Sequence, residues 1–130
     1  MFEDGTIRCV PLSNGGLISY CRAFKDETGV RVCLEAVHAM PKQGVRSVFT
    51  FGEEYGYIKG VLEAYGVSYQ EIPPERWKKE FGLNTDKKKS IEVCKALFPA
   101  VNLMATERSR VEHDGMAESL LIAEYARRKL

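Results

Sequence analysis

A chain of 130 residues is long enough to bury one hydrophobic core, and 45% hydrophobic with 28% charged residues is the balance of a soluble globular domain spanning residues 1–130. The 19 Lys and Arg offset 18 Asp and Glu, so a net charge of +1 gives nucleic-acid binding no global support, and only a local cluster of cations could supply it. No apolar run nears the roughly 20 residues needed to span a bilayer and nothing resembles a signal peptide, so the chain reads as cytoplasmic with no membrane partner.

The first turn signal is Glu3-Asp4-Gly5, a hairpin turn leading into a short strand, Thr6 to Pro11. Ser13 or Asn14 can cap a helix whose apolar positions Leu17, Ile18, Cys21 and Phe24 have helical spacing, with Gly29 ending it. Val30 to Val37 (VRVCLEAV) is β-branched and almost continuously apolar, which predicts a strand buried on both faces. Its single acid is Glu35. After a turn at Met40 to Gly44, Ser47 opens a long helix to about Tyr65. Its apolar stripe is Val48, Phe51, Tyr55, Ile58, Leu62 and Tyr65, and Gly66 stops it.

A second stripe on that helix is Gly52, Gly56 and Gly60. Each glycine costs about 1 kcal/mol against alanine in a helix, so close approach of another backbone is the expected gain. That neighbour is either the chain's own sheet or a second protomer. Val67 to Ile72 follows as a short strand, Pro73-Pro74 start a helical turn over Glu75 to Phe81, and Asp86 to Phe98 forms a further helix ended by Pro99. Residues 100–110 read as a loop and Asp114 to Lys129 as the last helix. Strands alternating with helices at this spacing predict an α/β domain with a mixed or parallel sheet.

Cys9, Cys21, Cys33 and Cys94 lie far apart with no CxxC, and the chain has only two histidines, so free core thiols are expected rather than a zinc site. The carboxylates are more informative. In "VEHDGMAESLLIAEY" Asp114 and Glu118 are one helical turn apart, on the face that continues through Leu121, Ile122 and Tyr125. Like charges beside leucines need neutralising. Asp114 alone fits an acidic first turn, but Glu118 lies deeper. Glu35 stands near the end of a buried strand, where α/β folds place ligand sites. With no basic residue on their own faces, the three read together as ligands for Mg²⁺ or Mn²⁺, ions suited to phosphodiester hydrolysis. The stretch "PPERWKKEFGLNTDKKKS" carries six cations (Arg76, Lys78, Lys79, Lys87, Lys88, Lys89) against three acids, which is either a phosphate-backbone patch or a solvated face. Trp77 within it could stack on a base, although a lone tryptophan beside Phe81 is more often core. Arg127-Arg128-Lys129 reads as a helix end complementing the dipole.

Together "VCLEAVHAMPKQG", "SVFTFGEEYGYIKGVLEAYG", "PPERWKKEFGL", "DKKKS", "LFP" and "HDGMAESLLIAEY" resemble the RuvC family of Holliday junction resolvases, in particular its short phage-type crossover junction endodeoxyribonucleases. The resemblance implies an RNase H-like mixed β-sheet flanked by helices. It implies catalytic, metal-binding roles for Glu35, Asp114 and Glu118, with His113 near the metal. DNA contacts would come from Arg76, Lys78, Lys79 and Lys87 or Lys89, on a four-way junction or related branched DNA. It further implies a homodimer through the helix 47–65, a partnership that suits symmetric cutting of two strands. The family's first strand carries "GIDPG", whose aspartate is a central metal ligand. This sequence has no such motif, so the expected fold is N-terminally truncated. The alternative function is therefore an inactive RNase H-like module that binds DNA or a protein; a nuclease acting on RNA–DNA hybrids is the third reading.

Overall fold

The computed structural model describes residues 16–24, 27 and 29–130. The expected turn at Glu3-Asp4-Gly5, the strand Thr6 to Pro11, the cap at Ser13 or Asn14, and Cys9 lie outside them. The described residues mix five helices with a two-stranded parallel sheet. They fall into two compact units, one drawn from Leu12–Glu71 and the other from Ile72–Leu130. None of their helices is long and apolar enough to cross a membrane.

In the first unit, α1 (Gly16–Phe24) buries Cys21 and packs on α2 (Val45–Ala64). Tyr20 and Phe24, one turn apart, stack with ring centroids 5.9 Å apart. Between the helices, β1 (Val32–Glu35) is shorter than the expected Val30 to Val37, and all four of its residues are only half-buried. Burial on both faces is thus not realised. A sheet of two strands among the described residues gives β1 fewer covering elements than a larger sheet would.

Helix α2 begins at Val45, two residues before the expected Ser47, because extended Gly44 supplies the first helical carbonyl without a side-chain cap. Its end follows the sequence closely. Gly66 adopts φ +68°, its N–H bonds the Glu63 carbonyl, and the Val67 N–H reaches back to Leu62, the paired bonds of a Schellman stop. Of the apolar stripe, Leu62 is buried and Val48, Tyr55, Ile58 and Tyr65 are half-buried, whereas Phe51 is exposed. The helix is fastened to β2 (Tyr69–Ile72) by polar clasps. Tyr69 donates to Glu63 at 2.9 Å, the Tyr55 hydroxyl donates to Glu71, and Lys59 Nζ lies 3.4 Å from that carboxylate and 4.9 Å over the Tyr55 ring. The hydrogen bond to Glu63 pushes the Tyr69 hydroxyl above its ordinary pKa.

Among the described residues, a methyl group built on Gly52, Gly56 or Gly60 would meet nothing within 4 Å. The two described strands are therefore not the close neighbour that these glycines were expected to accommodate.

The second unit is built around α5 (Asp114–Lys129), against which α4 (Lys87–Leu97) and α3 (Pro74–Glu80) pack. Helix α5 buries Met116, Ala117, Leu120, Leu121, Ile122, Tyr125 and Ala126. Burying each larger apolar side chain contributes about 1.5–3 kcal/mol. Ile72, Trp77, Cys94 and Leu103 are the other buried apolar residues of this unit among the described residues. Helix α3 starts on Pro74, where the absent N–H costs nothing, and stops at Gly82 (φ +65°) with the same paired bonds as α2. Asp86 caps α4 by accepting from the Lys88 N–H at 3.0 Å. The segment between α4 and α5 is irregular yet anchored, because Leu103 is buried and its carbonyl accepts the His113 N–H at 2.8 Å.

Candidate cation and nucleic-acid site

The start of α5 is built from His113 outward. As N-cap residue, His113 accepts the Met116 N–H on Nδ1 at 3.2 Å, which ties one of the helix's orphan donors. That nitrogen is committed, so only Nε2 could meet a metal. Gly115 fits this arrangement, since a Cβ there would stand 2.8 Å from Cε1 of the His113 ring.

Asp114 follows as the first residue of the helix, half-buried. Its Oδ2 lies 3.3 Å from Nζ of Lys87, the first residue of α4. Partial burial would raise the carboxyl's pKa, but the hydrogen bond and charge of Lys87, joined by its own backbone N–H and by His113, hold it below the usual aspartate range. The sequence offered no basic residue on Asp114's own helix face. Its counter-ion comes from another helix, far along the chain, where helical periodicity gives no sign of it. A second link fastens the same two segments, with Lys95 of α4 3.0 Å from Glu112.

Glu118, one turn on, is half-buried and engaged. Neither it nor Asp114 is the acid that the core surrounds. That place belongs to Glu124, only 4% exposed, a residue that the sequence reading passed over. Glu124 accepts from Arg127 Nε and Nη2 at 2.8 and 2.7 Å and from Arg128 Nε at 2.9 Å, and the Arg127 bond leads in holding its pKa below the ordinary glutamate value. Arg128 also reaches Glu80 at 3.5 Å and lies 5.1 Å over the Phe81 ring, while Lys129 pairs with the other Glu80 oxygen at 3.5 Å. The basic helix end thus does more than complement a dipole: it fastens α5 to α3. The i+3 and i+4 spacing of Arg127 and Arg128 from Glu124 was the available signal.

Among the cations, Arg76, Lys79 and Lys89 are exposed, and Lys88 is too. Lys78 is half-buried, with its ammonium 5.6 Å over the Trp77 ring. Trp77 itself has no exposed surface, which makes it core and removes it as a stacking platform for a base. Glu35, the last residue of β1, is half-buried and engaged, and belongs to the first unit.

Asp114 and Glu118 stand one turn apart, offer hard oxygen donors, and Asp114 already holds a cation, the Lys87 ammonium. Carboxylate oxygens are the donor type that hard divalent ions take. Among the described residues, no three His, Cys, Asp or Glu side chains gather as a metal-binding group. Cys21 and Cys94 are buried and Cys33 half-buried, all free thiols. Neither a protein-family model nor a curated protein matches the chain.

Proposed function

We propose that this chain is a RuvC-like, RNase H-like part of a Mg²⁺- or Mn²⁺-dependent endonuclease that engages four-way junctions or related branched DNA in a bacterial or phage-infected cytoplasm. The observation that carries the reading is the pairing of Lys87 with Asp114. A phosphodiester site needs a cation for the phosphate backbone beside a carboxylate for a metal ion. The packing of α4 on α5 puts one of each within hydrogen-bonding reach. Lys88 and Lys89, on the first turn of α4, and Arg76 and Lys79 on α3 extend the basic surface available to a DNA backbone.

In this reading Asp114 and Glu118 hold the divalent ion, and Glu35 is a further carboxylate whose loss would lower cutting. When bound, that ion polarises the scissile phosphate and favours deprotonation of the attacking water. Lys87 and Lys78 orient the phosphate as point charges. A second copy of the chain seats on α2, where no described residue crowds Gly52, Gly56 or Gly60 and Val45 and Phe49 are 88% and 69% exposed.

One observation favours the alternative reading, a module that binds without cutting. With Lys87 on Asp114 and the His113 Nδ1 on its cap, the start of α5 is electrostatically satisfied without a metal. The test compares binding of a labelled four-way junction with binding of a duplex of equal length, and follows Mg²⁺-dependent nicking of the junction. Junction preference with nicking that Glu118→Gln abolishes supports the endonuclease. Junction preference indifferent to Glu35→Gln and Asp114→Asn, without nicking, supports the binding module. No preference for the junction would sink both.

A further inference from the structure

Five of the seven large apolar side chains exposed among the described residues, Met40, Val45, Phe49, Phe51 and Tyr57, lie on α2 or in the turn before it. Helical spacing puts Val45, Phe49, Gly52, Gly56, Gly60 and Glu63 on one strip, bulky at its start and bare toward its end. Such an exposed apolar surface marks an interaction site, and the charges around it identify the partner. Residues 36–52 hold Lys42 and Arg46 and no acid, whereas the last turn of α2 holds Glu63 and no cation. All three are exposed, and neither Lys42 nor Arg46 has an ion-pair partner among the described residues. This placement is the reverse of what the helix's own dipole favours, acid at the start and base at the end.

A partner that satisfies both ends must be acidic beside the start of α2 and basic beside its end. A second α2 running the other way is both. We infer that α2 pairs antiparallel with α2 of a second copy, about a twofold axis between residues 54 and 55. Arg46 of each copy then meets Glu63 of the other, and Phe49 of each covers Gly60 of the other. The two matches share one midpoint, so a single register makes both. The pairing rests on the reading of the chain as a homodimer through α2 and adds its direction and register. A parallel pair would instead set Arg46 against Arg46, Glu63 against Glu63 and Phe49 against Phe49, and would hold the glycines of the two copies apart. Tyr69 donates to one oxygen of Glu63 and leaves the other for the guanidinium. Ion pairs at an exposed rim set direction more than affinity.

Sedimentation equilibrium of the protein at low salt tests the pairing without DNA or metal. Arg46→Glu turns two symmetric attractions into repulsions and should raise the dimer dissociation constant about tenfold. Glu63→Lys should do likewise, and the protein carrying both changes should return to within about twofold of the parent value. The loss in each single variant should shrink at high salt. Because Arg46→Glu puts an acid in the first turn of α2, the dilute monomeric variant should melt no lower than the parent, which separates dissociation from misfolding. If the parent dimerises and Gly56→Leu dissociates it, but neither charge reversal weakens it, the antiparallel pairing is overturned while the dimer through α2 stands. Charge reversals that weaken the dimer without recovery in the double variant overturn the pairing as well. A parent that is monomeric, or dimeric and indifferent to Gly56→Leu, removes the dimer through α2 and the pairing with it.

Discussion

Lys87 at the start of α4 and Asp114 at the start of α5 form an ion pair of 3.3 Å, joining one expected DNA contact to one expected metal ligand. Each residue had been assigned a ligand outside the chain, and each has the other within it. The pair explains how a half-buried aspartate beside an apolar helix face stays ionised. It also makes the site's two charges dependent on one another.

The buried acid at the other end of α5 sets the acid stability of the second unit. Glu124 has a depressed folded pKa, so its stabilisation is present above the unfolded glutamate value of about 4.3 and is lost as pH falls through the lower folded value. Asp114 acts with the same sign. Glu124→Gln keeps the shape but removes the charge from three hydrogen bonds and should cost about 1–3 kcal/mol at neutral pH. The cost should shrink as pH falls below about 4. Urea unfolding at several pH values measures it; a cost that does not vary with pH would contradict the assignment.

At the N-terminus of α5 the cap and the glycine should prove coupled. His113→Ala removes the acceptor for the Met116 N–H and should cost about 1 kcal/mol. Gly115→Ala drives a Cβ to within 2.8 Å of the His113 ring and should displace the same cap. In the Gly115→Ala background, His113→Ala should therefore cost much less than it does alone. Additive costs in a double-mutant cycle would mean that the ring can shift and still cap.

On α2 the glycines offer opposite signs for two states of the protein. No described residue lies within 4 Å of a methyl group on Gly56, so Gly56→Ala should stabilise the separate chain by up to about 1 kcal/mol through helix propensity. If a second copy seats on this face, the same methyl group should weaken the dimer. Sedimentation equilibrium and thermal unfolding, run on the same samples, read the two effects. A dimer that tolerates Gly56→Leu does not use the glycine face.

The exposed cations should act on DNA without regard to sequence. Lys89→Ala should weaken junction binding evenly across junctions of different sequence, and reduce the slope of log K against log salt by about 1. Fluorescence anisotropy over a salt series gives the slope. An unchanged slope would remove Lys89 from the interface.

Local signals in the sequence carried well into the fold. Asp86 caps α4, Pro74 opens α3, Gly66 ends α2, and α5 occupies the expected residues 114–129, because caps, stops and helical period act over a few neighbours. What escaped was set by packing between distant segments. Periodicity identified an apolar face on α5, but the docking of α3 and α4 decided that Glu124, and not Asp114 or Glu118, would be enclosed. Lys87 meeting Asp114, and Glu80 meeting Arg128 and Lys129, likewise depend on helix placement that no spacing rule supplies. For β1 the apolar run was real, but an apolar composition could not reveal how many strands would cover it.

The most direct measurement is the binding and Mg²⁺-dependent nicking of a four-way junction by this protein, beside its Glu35→Gln, Asp114→Asn and Glu118→Gln variants. Tighter binding of the junction than of a duplex, with paired nicks in Mg²⁺ that each variant abolishes while still binding, is the expected result. Equal binding of junction and duplex with no nicking would contradict the proposed function.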